Sequence, residues 1–122
     1  MLKITDRICG WLLVLASCGH VAGTFVAYAA MSSIFVWSLG SALAGLLLGA
    51  LNIVRAGRPH DKTLAVIATL GTAFWALVAF GYGKSVGNVL DPRPLTHMVI
   101  ATALVFFGVR TLRGGSAEEI AR

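Results

Sequence analysis

The chain has 122 residues, 57% hydrophobic and 12% charged, with a formal net charge of +5. Together with a mean hydropathy of +0.84, this composition excludes an ordinary water-soluble domain, a disordered chain and a disulfide scaffold. The basic residues flank apolar blocks and form no stripe of their own, so they read as membrane topology signals and not as a nucleic-acid footprint.

From Ile8 to Val54 there is no Asp, Glu, Lys or Arg, a stretch of about 47 residues, or two lengths of the ~20 that a helix needs to cross the hydrocarbon. It must turn once. Met31, Ser32 and Ser33 interrupt it, which predicts helix one over 8–30 and helix two over 34–54. Gly57 and Pro59 stop helix two, and Asp61 is placed to cap a third span over 64–83. Asp91 and Pro92 start a fourth over 94–112, with Arg110 extending its side chain toward the interface. Beyond Arg113, Gly114, Gly115 and Ser116 are expected to break the helix and leave 114–122 as a short polar cytoplasmic tail. The expected fold class is an all-α integral membrane protein, a four-transmembrane-helix bundle occupying 1–113.

Lys3, Arg7, Arg55, Arg58, Lys62, Arg110, Arg113 and Arg122 fall on one side of these spans, and Lys84 and Arg93 on the other. A division of roughly eight to two places both termini in the cytoplasm by the positive-inside rule, with a bacterial inner membrane as the expected location. A competing pattern occupies the N-terminus. Lys3 and Arg7 precede the apolar run Trp11 to Ala16, and Leu15-Ala16-Ser17-Cys18 resembles the lipobox of bacterial lipoprotein precursors. That resemblance implies cleavage before Cys18, a lipid on Cys18 and three remaining spans. The apolar run, however, continues to Ala30, as a full span does, whereas signal h-regions stop at about 7 to 15 residues. Cys9 lies nine positions before Cys18, on the opposite face of the helix, so the two form no local disulfide.

Helix one carries Ser17, His20, Thr24 and Tyr28 at spacings of three and four, a polar stripe that must face protein or water. Gly19 and Gly23 on the same helix, and Ser41, Gly45 and Gly49 on helix two, form small-residue series that predict a close helix-helix seam. His20 is the candidate functional residue of this stripe, because an ionisable group deep in a span is costly unless paired. Ser38, Ser41, Thr69 and Thr72 are its expected structural partners, and Asn52 is expected to cap helix two or bond between helices. A second candidate site is the outer face, where Asn88, Asp91, Arg93 and His97 cluster along a glycine-rich loop. The expected spans place His20 and His97 at depths that differ by roughly 10 Å, which disfavours a shared haem iron. Neither has a second ligand at helical spacing for zinc or copper, and His60 is expected to be solvated.

No catalytic constellation, phosphate loop or metal motif is legible, and no cofactor is implied. The first functional expectation is therefore a non-enzymatic accessory or interaction subunit of a membrane complex, or a homo-oligomer, whose partners are the lipid bilayer and other membrane subunits or itself. In length and span count the chain also resembles small multidrug-resistance transporters, which implies an antiparallel dimer and a membrane-embedded glutamate in the first helix. Helix one has no such carboxylate, so His20 would have to be the titrating group of a proton-coupled transporter. The third expectation is a quinone- or haem-associated redox subunit that uses His20 or His97, with Trp37, Phe74 and Trp75 as apolar walls.

Overall fold

The computed structural model describes residues 2–120, with side chains described through 114. These residues form four helices, α1 (Leu2–Ala27), α2 (Ser33–Gly57), α3 (Lys62–Ser85) and α4 (Pro92–Ile120). All four are long and apolar enough to cross a membrane, α4 over Pro92–Gly114. They run up-down-up-down as two hairpins, α1 with α2 and α3 with α4. The hairpins dock through α1 against α4 and α2 against α3. One end of the bundle holds the start of α1, the α2–α3 loop and the late turns of α4; because Lys3, Arg55 and Arg110 gather there, we call it the basic end. The α1–α2 turn and the α3–α4 connection lie at the far end.

Helix α1 begins six residues before its expected start and ends three before its expected end. The early start is possible because Asp6 turns inward and is buried, while Lys3 and Arg7 stay exposed on other faces of the same turns. The chain then reverses at Met31, which takes a positive φ of 62°, and Ser32 caps α2 by accepting a hydrogen bond from the Phe35 amide at 3.3 Å. Asp61 caps α3 in the same way through the Leu64 amide at 2.9 Å. In the α3–α4 connection Gly87 supplies a φ of 74°, and Pro92 opens α4 at a position where its missing N–H costs nothing. The expected break at Gly114, Gly115 and Ser116 does not occur, for α4 runs on to Ile120. Glycine within a helix costs only about 1 kcal/mol relative to alanine, and the Ala117 to Glu119 segment that follows is favourable to helix.

Helices α1 and α2 approach closely at glycines other than the Gly19 and Gly23 expected on α1. A Cβ on Gly49 would meet Val14 Cγ2 at 2.7 Å, one on Gly10 would meet Ile53 Cγ1 at 2.7 Å, and one on Gly45 would run into Ser17 Oγ. Gly19 and Gly23 have nothing within 4 Å and take no part. The close approach thus runs along Gly10, Val14 and Ser17, on the face of α1 that also buries Asp6, Leu13 and Thr24.

Side chains are distributed inside out relative to a soluble bundle. Leu15, Phe25, Leu47, Leu70, Phe74 and Phe106 project outward, whereas Asp6, Ser17, Thr24, Asn52, Arg55, Thr69, Thr72 and His97 are buried. This is the arrangement that a hydrocarbon solvent would demand, since polar groups there find partners only within the protein. The largest polar assembly centres on Arg55, which has no exposed surface. Its Nη2 donates to Asp6 Oδ1 at 2.5 Å, Nη1 to Thr111 Oγ1 at 2.9 Å and Nε to Asn52 Oδ1 at 3.1 Å. Asn52 Nδ2 passes the chain on to Thr72 Oγ1 at 2.7 Å, so the network reaches all four helices.

Removing one partner of a buried pair costs more than removing both, because the survivor is left charged and unpaired. Asp6→Ala is expected to destabilise the bundle by about 3 to 5 kcal/mol. The Asp6→Leu/Arg55→Leu double variant should lose clearly less. Denaturant titration in detergent reads both, and equal losses would show that the charges, once separated, find other partners.

Candidate functional site

The last three turns of α1 set Ser17, His20 and Thr24 of the polar stripe along the inner side of the helix toward the far end, and Tyr28 follows just past its last residue, Ala27. Ser38 on α2 meets it there. The His20 Nε2 to Ser38 Oγ distance is 3.0 Å, Thr24 Oγ1 lies 2.7 Å from the same hydroxyl, and Thr24 also donates to the His20 carbonyl at 2.8 Å. Of the four partners expected for His20, the structure uses Ser38.

His97 on α4 lies beside this group. Its ring centroid is 6.0 Å from that of His20, at an interplanar angle of 85°, and 5.7 Å from the Trp75 ring on α3. The expected depth difference of roughly 10 Å between the two histidines is therefore wrong, for a reason visible at the helix ends. With α1 ending at Ala27 and α4 starting at Pro92, His20 is seven residues and His97 five residues from the far end, a difference of about 3 Å at 1.5 Å per residue. Proximity alone does not make a haem site, because His20 Nε2 is turned to Ser38, and a shared iron would require that bond to be given up.

A cavity of about 380 Å³ opens over these rings. Its floor and walls include His20, Thr24, Ser38, Trp75 and His97, and its rim includes Tyr28, Tyr82 and Arg93. Gly19 and Gly23 line it on α1 and Thr96 on α4. Since all three are exposed, as is Arg93, the cavity opens between α1 and α4. Of the walls expected for a ring-shaped ligand only Trp75 is in place; Trp37 and Phe74 are 78% and 69% exposed on the outside of the bundle.

The two candidate sites of the sequence are thus joined in part. His20, Thr24 and Tyr28 from the stripe share one cavity with Arg93 and His97 from the outer face. Ser17 lies just below, buried against Gly45. Asn88 and Asp91 serve the chain instead, as Asn88 Oδ1 accepts from the Leu90 amide at 3.0 Å and Asp91 holds Arg93. That last contact is bidentate, with Arg93 Nε at 2.9 Å from Oδ1 and Nη2 at 2.7 Å from Oδ2. Side-chain hydrogen bonds from Arg93, then its backbone amide, hold the Asp91 carboxyl down at about 2.

Three buried polar atoms near the cavity have no protein partner: Ser17 Oγ, Trp75 Nε1 and His97 Nδ1. Buried polar groups are nearly always satisfied, so each requires a water or a ligand. Among the described residues there is no group of three or more His, Cys, Asp or Glu that would hold a metal ion.

The Arg55 network is the assembly that sequence reasoning missed. Arg55 counts as a topology charge when only loops are scored, yet Gly45, Gly49, Asn52 and Arg55 lie at helical spacing on one face of α2. The face that carries the packing glycines was the signal. Compared with known proteins, the chain matches no protein family, no curated protein and no solved structure.

The Asp91 pKa yields a direct check. Because the folded value lies below the ordinary carboxylate range, the Asp91–Arg93 contribution is present above that range and is lost as pH falls through about 2. In Arg93→Gln the carboxyl is expected to titrate higher, toward the ordinary carboxylate value but still below it, because the backbone amide at position 93 remains on Oδ1; carbon NMR of labelled aspartate reads the change. An unchanged midpoint would mean that Arg93 does not set it.

Proposed function

We propose that this chain is a small non-enzymatic membrane protein, an accessory subunit, whose far-end cavity holds the head of a lipid-soluble molecule bearing acceptor oxygens. Quinones are the class that fits. The observation that carries this reading is the pair of ring nitrogens, His97 Nδ1 and Trp75 Nε1, on cavity-lining residues and without protein partners. An indole N–H only donates, and His97 Nδ1 donates in the tautomer that carries its proton there; this reading takes that tautomer, whose complement is a ligand with carbonyl oxygens. The Trp75 ring supplies an apolar face, and Arg93 at the rim a charged donor. At about 380 Å³ the cavity falls in the usual range for small-molecule sites, roughly 300 to 1,000 Å³.

Entry is consistent with a ligand dissolved in the bilayer. The opening between α1 and α4 lies on the side of the bundle and is bordered by Gly19 and Gly23, where no side chain bars the way. The proposal places the protein in a bacterial inner membrane with both termini cytoplasmic. Its support is the concentration of Lys and Arg at the basic end, which in that orientation faces inward. The far-end cavity then opens in the outer leaflet, where a bound quinone would be presented to a partner subunit.

The test uses Trp75 as reporter. In a Trp11→Phe/Trp37→Phe background it is the remaining tryptophan, and titration with menadione is expected to quench its fluorescence saturably. His97→Leu removes one donor and should weaken binding about tenfold, the equivalent of one hydrogen bond. Quenching that rises linearly without saturation and is identical in His97→Leu would defeat the reading.

A further inference from the structure

The basic end carries a second cavity, of about 400 Å³, to which three helices contribute. Lys3 and Asp6 come from α1, Arg55 from α2, and Phe107, Arg110 and Thr111 from α4. Three cations and one carboxylate therefore line a common space, and the carboxylate is already engaged, since Asp6 Oδ1 accepts from Arg55 Nη2 at 2.5 Å. Arg55 is itself buried, with its three nitrogens placed on Asn52, Thr111 and Asp6. Among the described residues, the charge of the cavity left without an acidic partner is that of Lys3 and Arg110. Both are exposed, and neither is ion-paired to a described acidic side chain.

Depth identifies what meets this charge. Lys3 lies in the first turn of α1, and Arg110 stands about 27 Å along α4 from Pro92 at 1.5 Å per residue, close to the ~30 Å thickness of the hydrocarbon. At that level the ligands available in quantity are lipid headgroups. Phe107, one turn deeper on α4, adds an apolar wall on the hydrocarbon side.

We propose that this cavity binds the phosphate of an anionic glycerophospholipid between Lys3 and Arg110, with Phe107 against the first carbons of the lipid. A basic pocket between spanning helices at headgroup depth selects negatively charged lipids. Two uncompensated cations match a phosphate that carries no ammonium of its own, which favours phosphatidylglycerol over phosphatidylcholine. The site shares no residue with the far-end cavity and stands whether or not that cavity binds a quinone.

Native mass spectrometry of the full chain in mild detergent tests it, with phosphatidylglycerol, phosphatidylcholine and inorganic phosphate as separate titrants. The proteins are the wild type, Lys3→Gln/Arg110→Gln, and Lys84→Gln as a cation removed from the far end. The wild type is expected to retain phosphatidylglycerol about tenfold better than phosphatidylcholine. The double variant should lose that preference and Lys84→Gln should keep it. Equal retention of the two lipids by the wild type, or an unchanged preference in the double variant, overturns the proposal. Displacement of phosphatidylglycerol by inorganic phosphate at equal concentration would assign the cavity to a free anion and also overturn it. All three substituted side chains are exposed, so the bundle is expected to fold in every variant.

Discussion

Arg55 has no exposed surface. A guanidinium is not deprotonated in a protein interior, and with no exposed surface its donors must be met by the protein. Asp6, Asn52 and Thr111 meet them, and Asn52 draws in Thr72. This requirement sets the register of all four helices at the basic end, because sliding any one of them by a turn would leave a donor or an acceptor stranded. It also explains why α1 begins where it does. Asp6 has to be helical, and turned inward, to reach a residue 49 positions later in the chain.

Between the two ends the interior changes character. Leu13, Trp75, Ala101 and Leu104 form an apolar cluster at mid-bundle, with the Arg55 network on one side and the histidine cavity on the other. Apolar packing between helices has little driving force in lipid, where the tails are as apolar as leucine, so polar contacts and close backbone approach specify the assembly. The glycine seam of Gly10, Gly45 and Gly49 supplies the close approach and the Arg55 network the polar contacts. The far end is held more lightly, by Ser38 with His20 and Thr24 and by turn chemistry at Ser32 and Asp91.

The four helices were legible in the sequence because hydropathy and length respond directly to the thickness of a bilayer. Helix ends were less so. Charges were read as marking the outside of a span, whereas Asp6 and Arg55 neutralise one another within it, and that pairing depends on contacts far apart in the chain. The same boundary error separated His20 from His97, since the depth of each was counted from a misplaced end. The polar stripe on α1 was legible as a face from its spacing alone. Which glycines that face packs was not, because Gly10 lies outside the regular series formed by Gly19 and Gly23, and only the pairing of helices distinguishes a seam from an open wall.

The open wall has a consequence of its own. Gly19 and Gly23 border the far-end cavity, and a Cβ added at either would meet nothing within 4 Å, so the room above the histidines depends in part on two positions where helix packing does not require glycine. The positions that border this cavity on α1 are thereby separate from those that bring the helices together. A methyl or larger group at either glycine would reshape the chamber while the glycine seam and the Arg55 network stayed as they are. The volume of the chamber can therefore change through single substitutions that leave the interhelical contacts in place.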